Sequence, residues 1–310
     1  MTLAEAMGLH PWRLRVRQAK VALAGEDDVP ASKWGPSSLK LLNPRLGIPL
    51  WRGRAPVPRK VILSNLFNHT QTPVEAGWSV KRTQVRDFRG RVATYDSHNG
   101  TDLCIPVGTT VLTAAPGEVV RVVSEFNRGG LKVFIDHGRG LMTCYAHLAR
   151  ALVGEGQLVG RGEPIAISGY SGLDGFITFP FGLPHIHFNT WLNGEPVDPF
   201  AREGEVSVWH GGVPVPVDGE AKGEFAPSVY DEAAVDEVIA GCLTPRSRAE
   251  LAGIEPLSRR AARTIIASNY YPTRFPVRRN PYDQRWEREE RLDMPFSAAD
   301  FDAAVFADDL

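Results

Sequence analysis

The stretch "PHIHFNTWLNG", residues 184–194, decides how the chain is read. Side chains alternate faces along a strand, so His185 and His187 point the same way with their Cα atoms about 6.5–7 Å apart. Both can then address one site. Ile186, Phe188, Thr190 and Trp191 are β-branched and aromatic types that suit a strand. A histidine pair on the outer face of a sheet is the plain alternative, and H-x-H by itself does not exclude it.

Outward from this strand, residues 92–200 consist of short β-rich runs punctuated by glycine: "TTVLTA", "GEVVRVV", "KVFIDHG", "LMTCYAHL" and "EPIAISG". They predict a compact all-β region. Two glycine-led segments, "PVGTTVLTAAPGEVVRVV" and "LVGEGQLVGRGEPIAISG", read as paired hairpins. The same region holds "HNGTD", in which His98 and Asp102 flank Gly100, a residue expected to permit a sharp backbone path. Imidazole and carboxylate are zinc-type ligands, and a catalytic zinc needs three protein ligands with one position left open. His98, Asp102 and one histidine of the pair meet that requirement, leaving the other for proton transfer or an outer role. His147, in "TCYAHL", lies near the end of another β-run and is placed to approach from the opposite side.

Taken in order, "HNGTD", "YAHL" and "PHIHF", with "GEVVRVV", "IDHGRGLMTCYAHL" and "VDP" between and after them, resemble the lysostaphin-type (LytM-like) zinc endopeptidases that cut peptidoglycan peptides. The resemblance covers roughly residues 92–200. It implies zinc as cofactor, His98, Asp102 and His187 as its ligands, and His147 and His185 as the catalytic histidines. Zinc acidifies water and polarises a scissile carbonyl, and a histidine can take a proton or, when charged, stabilise an oxyanion. Which of His147 and His185 does each is left open. The implied activity is a zinc metalloendopeptidase acting on peptidoglycan or a related small-residue peptide. The alternative is a catalytically silent binding or regulatory module on the same fold. A lipoyl- or biotinyl-type carrier would need a lysine at a hairpin tip, which is lacking.

Between "SGYSG" and "PHIHF" stands "LDGFITFPFGL", longer than the short glycine-rich link the resemblance implies. Its Phe176, Phe179 and Phe181 are expected to pack on the helical tail or on a substrate. His137 reads as a turn residue and Cys104 as a small buried hydrophobe. His10, His69 and His210 have no assigned role.

The flanks carry no chemistry of their own. Residues 1–91 form a basic extension; residues 1–95 hold 16 Lys/Arg against 6 Asp/Glu, while residues 201–310 hold 13 against 20. The charges are scattered among Pro, Trp and Leu, so no nucleic acid is expected as partner. Three cysteines exclude a disulfide framework. "MTLAEAMGLHPWRLRVRQAK" lacks the pattern of a secretory leader and no run approaches a membrane span, so the default expectation is cytoplasmic. "RLRVR", residues 13–17, suits a strand. Residues 201–310 read as a helical accessory region. Ser228 and Asp231 form a capping box for a helix to about Ala240, with Val235, Val238 and Ile239 on its apolar side. Thr244–Pro245 begin a second helix and Ser297 with Asp300 a third. "RFPVRRNPYDQRWEREERLD" reads as solvated surface. The expected fold is α+β overall: a mainly β core of antiparallel sheets over residues 92–200 and a helical C-terminal region over 201–310.

Overall fold

The computed structural model describes residues 1–26, 28–73, 77–217 and 224–310. Its strands are β1 (Lys60–Leu63), β2 (Thr101–Cys104), β3 (Thr110–Leu112), β4 (Gly117–Glu125), β5 (Gly130–Asp136), β6 (Leu141–Ala151), β7 (Leu158–Val159), β8 (Pro164–Ser168), β9 (His185–Leu192), β10 (Glu195–Pro196), β11 (Pro216–Val217), β12 (Met294–Ser297) and β13 (Ala303–Phe306). The helices are α1 (Leu3–Ala6), α2 (Trp12–Ala24), α3 (Pro44–Trp51), α4 (Leu173–Thr178), α5 (Glu232–Ala240), α6 (Pro245–Ala252) and α7 (Leu257–Tyr270). The main sheet runs β13-β1-β2-β9-β6-β5-β4-β7. All its pairs are antiparallel except β1 with β13, which joins the first and last segments of the chain. The fold is α+β, with a mainly antiparallel β core, as the sequence led us to expect.

The alternation along β9 sorts its residues between two layers. Ile186 and Phe188 enter one core with Leu103, Tyr145, Trp209 and Phe296. Trp191 faces the other way, into a second core with Val235, Ile265 and Tyr270 of α5 and α7. His185 and His187 share the face of Trp191, but at the end that α7 leaves uncovered. Strand β6 is buried on both sides, with Leu141 and Tyr145 in the first core and Met142, Cys144 and Ala146 in the second. Its unbroken apolar run follows from that double burial.

Several local expectations are corrected. "RLRVR" lies within α2, where thirteen residues of mostly good helix formers follow Pro11. Five alternating residues fit either period, and the longer run decides. Arg15 turns inward from this helix, its guanidinium donating to the His10 carbonyl and to Ser124 Oγ. The glycine-led segments are not separate hairpins: β3 pairs with β8 and β4 with β7, so the two interlock. Ser228 and Asp231 form no capping box. The α5 N-cap is Asp231 alone, whose carboxylate accepts from Ala234 N, while Ser228 Oγ donates to Asp136 Oδ1 at 2.7 Å. Ser297 ends β12 and accepts from Ala299 N in a turn leading to β13, so no helix forms there. Thr244 does precede α6, but its side chain makes no capping bond. Within residues 274–293 most of the charges are exposed, but Phe275, Tyr282, Leu292 and Asp293 are buried, so this stretch is a seam and not free surface.

The aromatic insertion, residues 173–183, docks on the N-terminal segment and not on the helical tail. Asn43 N donates to the Phe181 carbonyl at 2.8 Å, and Phe179 meets Trp51 edge-on at 5.1 Å. Phe176, Phe179 and Phe181 nevertheless stay 41–46% exposed. A Cβ on Gly47 of α3 would lie 2.7 Å from the Gly182 carbonyl oxygen and 2.9 Å from that of Phe181. Gly47→Ala should therefore lift the insertion and cost about 1–3 kcal/mol, the usual range for overpacking. Thermal unfolding checks this, and an unchanged melting temperature would show that α3 does not hold the loop.

A buried lysine and a half-buried glutamate tie the helical segment to the sheet. Lys132 Nζ donates to Glu125 Oε2 at 2.9 Å and Tyr271 Oη to Glu125 Oε1 at 2.8 Å. Burial works to raise the Glu125 carboxyl, but the Lys132 charge and these hydrogen bonds outweigh it and bring it down to about 2. A folded-state pKa below the unfolded one stabilises fully above the ordinary carboxyl range and is lost as pH falls through it. The stability gap between wild type and Glu125→Gln should thus be largest above about pH 5 and close towards pH 2. Urea unfolding across that range measures it; a constant gap would mean Glu125 is not held ionised by folding.

Candidate metal centre

Asp102 in β2 stands directly opposite His187 in β9, so both side chains leave the sheet on one face. His98 reaches the same point from the loop before β2. Asp102 Oδ1 is 2.9 Å from His187 Nδ1 and 3.1 Å from His98 Nε2, and the two nitrogens are 3.1 Å apart. Two ligands each 2.0–2.1 Å from a tetrahedral zinc stand about 3.3 Å apart, so this trio fits such an ion with small adjustments. Its proton inventory agrees. His98 Nδ1 lies 2.7 Å from the Leu66 carbonyl, which only accepts, so the proton is on Nδ1 and Nε2 presents a lone pair. The carboxylate oxygen has no proton to give either. Such converging lone pairs suit a cation, and among the described residues these three are the group that could hold a metal ion.

Gly100 acts through space and not through backbone freedom, since it is absent from the residues with positive φ. A Cβ there would lie 2.7 Å from His187 Nε2 and 2.9 Å from the Phe188 carbonyl oxygen. Its lack of a side chain makes room for the imidazole ring.

His185 and His147 complete the group. His185 Nε2 is 3.4 Å from Asp102 Oδ1, and its Nδ1 donates to the Leu183 carbonyl at 2.6 Å. His147 comes from β6, where the register shifts and its φ is 61°. A non-glycine residue in that left-handed region stores about 1–3 kcal/mol of strain. Its Nδ1 donates to the Ser171 carbonyl at 2.8 Å, and its ring centroid is 4.8 Å from that of His185 and 6.3 Å from that of His187. In both rings the carbonyl holds the proton on Nδ1 and leaves Nε2 as the free nitrogen.

Electrostatics reinforce this arrangement. Burial alone would raise the Asp102 carboxyl; when His185 and His98 also carry a proton on Nε2, their charges, with the hydrogen bond from His187, hold it well below its ordinary range. Burial, then the neighbouring His185, pushes His147 well below its ordinary value, against the pull of the Ser171 carbonyl. Burial also lowers His187.

Four neighbours had not been singled out from sequence. Asn65 Nδ2 donates to Asp102 Oδ2 at 2.9 Å and is itself held by Arg82 at 3.1 Å. Tyr95 packs on His98 with centroids 4.4 Å apart, and Tyr170 lies 5.2 Å from His147 and 4.8 Å from His185. Burial raises both phenols, helped by Asp102 and Asp174, so they remain proton donors. Asp174, on α4, lines the same space, and burial raises its carboxyl too. Tyr95 and Tyr170 sit beside motifs already quoted, whereas Asn65 in "LSNLF" has no sequence signal. The space above Asp102, His147 and His185 is about 50 Å³ and is also lined by Trp34 and Leu41 from the N-terminal segment and Thr178 from the insertion.

The remaining candidates lie elsewhere. His137 bonds the Pro116 carbonyl and Thr143 Oγ1, and burial pushes it down to about 4. Cys104 shares the face of Asp102, but its thiol is buried against Ser64 Oγ at 3.0 Å. His69 pairs with Asp198 at 2.7 Å and His210 approaches Asp293 at 3.6 Å. The His10 backbone receives Arg15.

Residues 96–199 match Peptidase family M23, which bears out the resemblance to lysostaphin-type peptidases for this segment. The chain is 36% identical over 130 residues to the peptidoglycan DD-endopeptidase ShyA of Vibrio cholerae, covering 41% of this chain and 28% of that protein. It is 37% identical over 106 residues to the DD-carboxypeptidase/endopeptidase Mpg of Neisseria meningitidis, covering 34% and 23%. The chain thus spans about a quarter of the length of these relatives. Among solved structures, a zinc-containing peptidase from Vibrio cholerae is 30% identical, covering 46% of this chain and 38% of that one, with a TM-score of 0.33.

Gly100→Ala should displace the His187 ring and weaken binding of a divalent metal by about 10- to 100-fold, the scale on which groups that orient ligands matter. Chelator competition measures this. Undiminished affinity would mean that the ring is free to re-seat and that Gly100 has no part in placing it.

Proposed function

We propose that this chain is a zinc metalloendopeptidase that hydrolyses peptide bonds in peptidoglycan. Zinc would be held by His98, Asp102 and His187, and His147 and His185 would handle protons. The family match over residues 96–199 and the relatives named as a peptidoglycan DD-endopeptidase and a DD-carboxypeptidase/endopeptidase support this reading. The observation that carries it is the pair of imidazoles beside the trio, each with Nδ1 bound to a carbonyl and Nε2 free.

Zinc held there supplies Lewis acidity towards a peptide carbonyl and towards water. The rest is work for the chain's own groups. His147, kept neutral by burial, has its free Nε2 in position to accept a proton from an attacking water and return it to the leaving amine. His185, packed between Asp102 and Tyr170, is placed to donate a hydrogen bond to the developing oxyanion once it is protonated. The Tyr170 hydroxyl keeps its proton and offers a second donor beside the two rings. Fixed carbonyl partners preset each ring, so little reorganisation is needed during the reaction.

A second reading, a binding or regulatory module without turnover, draws on the small size of the space above the histidines, about 50 Å³. One set of measurements separates the two. Zinc content and release of soluble peptides from peptidoglycan should both be positive for the wild-type chain. His98→Ala, Asp102→Ala and His187→Ala should each lose the metal. His147→Ala and His185→Ala should keep it while hydrolysis falls about 10²- to 10⁴-fold. Metal binding without hydrolysis by the wild-type chain supports the second reading, and near-normal turnover in both histidine variants removes them from the chemistry.

A further inference from the structure

A cavity of about 260 Å³ lies where the N-terminal segment, the sheet and the residues after α7 meet. Ser97 and Asn99, on either side of His98, form part of its wall, yet none of the five residues of the candidate metal centre lines it. Its walls are largely apolar, from Pro30, Trp78, Pro196, Tyr271 and Pro272. Into it faces Arg128, a residue only 8% exposed.

The state of Arg128 is unusual for a buried cation. Its guanidinium carbon stands 5.0 Å from the Trp78 ring centroid and 5.7 Å from that of Tyr271. Among the described residues its guanidinium makes no hydrogen bond or ion pair, and Nε is buried without a partner. Other buried arginines are served: Arg15 by the His10 carbonyl and Ser124, Arg260 by Glu232 and Glu255. Arg274, which also stacks on Tyr271, is taken by Asp28 at 3.0 Å. A buried charge without an acceptor is costly, and a guanidinium with aromatic rings near it still offers its edge to a bidentate acceptor. Burial has pushed Arg128 down to about 10, against the pull of Tyr271, Asp174 and Glu125, none of which reaches hydrogen-bond distance of its guanidinium.

Among the described residues the other ionised groups on the wall are Arg278 and Glu195, so those residues carry one net positive charge. That sum selects an anion. The apolar walls select an organic body over a bare inorganic ion, and Glu195 leaves an acceptor for an ammonium group. We propose that this cavity binds a small organic carboxylate of amino-acid or short-peptide size, with its carboxylate on Arg128. The proposal does not rest on the metal or on catalysis.

Calorimetric titration of the full chain with alanyl-alanine, its C-terminal amide and inorganic phosphate tests it. Saturable binding of the dipeptide is expected, weakened at least about tenfold by amidation or by Arg128→Gln, the loss of a charge-assisted bidentate contact. Thr273→Trp, at the partly exposed wall, should block the same binding by filling the cavity, and serves if Arg128→Gln does not fold. Asp102→Ala should leave the affinity unchanged, which separates this site from the proposed active site. The proposal is overturned if dipeptide and amide bind alike, if neither binds, if phosphate binds and the dipeptide does not, or if affinity follows Asp102 and not the cavity variants.

Discussion

The carboxylate of Asp102 is buried, and a buried charge must be matched by groups that face it. Asn65 Nδ2 donates to Oδ2 and His187 Nδ1 lies 2.9 Å from Oδ1, while His98 and His185 turn Nε2 towards that same oxygen, an arrangement that a cation completes. They arrive from the loop before β2, from β9, and from the residues after β1. Placing one charge below the surface therefore commits three parts of the chain to one geometry. Asn65 in turn needs Arg82, which extends the commitment further into the N-terminal segment.

The orientation of the histidines depends on backbone carbonyls that lie outside the motifs. The Leu66, Ser171 and Leu183 carbonyls each hold an Nδ1 proton and so decide which nitrogen is presented. Each is fixed from elsewhere. Leu66 N donates to the Ala93 carbonyl at 2.7 Å. The backbone on both sides of Ser171 is held by α1 and the residue after it, through Tyr170 N to the Ala6 carbonyl and Gly172 N to the Met7 carbonyl. Leu183 is buried with Leu46 and Leu50 of α3. An N-terminal segment without a chemical motif thereby sets the tautomers of the site.

The C-terminal segment acts on the same centre by a longer route. Tyr270 Oη, at the end of α7, donates to Asn189 Oδ1, and Asn189 Nδ2 donates to the carbonyl of Asn99, next to His98. Helix packing on the back of the sheet is thus linked by two hydrogen bonds to the loop that carries a proposed ligand. The strained backbone at His147 fits the same pattern: the strain persists because Gly129 and Ser171 bond its backbone on both sides.

The sequence by itself determined the β-rich core, the shared face of His185 and His187, and the identity of the five polar residues that meet. Those follow from local physics: a period of two along a strand, and residue types whose chemistry is narrow. It misjudged "RLRVR" and Ser297, where a few residues fit more than one local structure and only the surrounding chain chooses. It assigned Gly100 a backbone role, because the 2.7 Å approach to His187 involves a residue on a strand far along the chain. Only the tertiary structure decided that β3 pairs with β8, that the aromatic insertion lies on α3, and that Asn65, Tyr95, Tyr170 and Asp174 surround the histidines. These depend on contacts between distant segments, and a side chain that acts by where it is packed leaves no periodic or motif signal in the sequence.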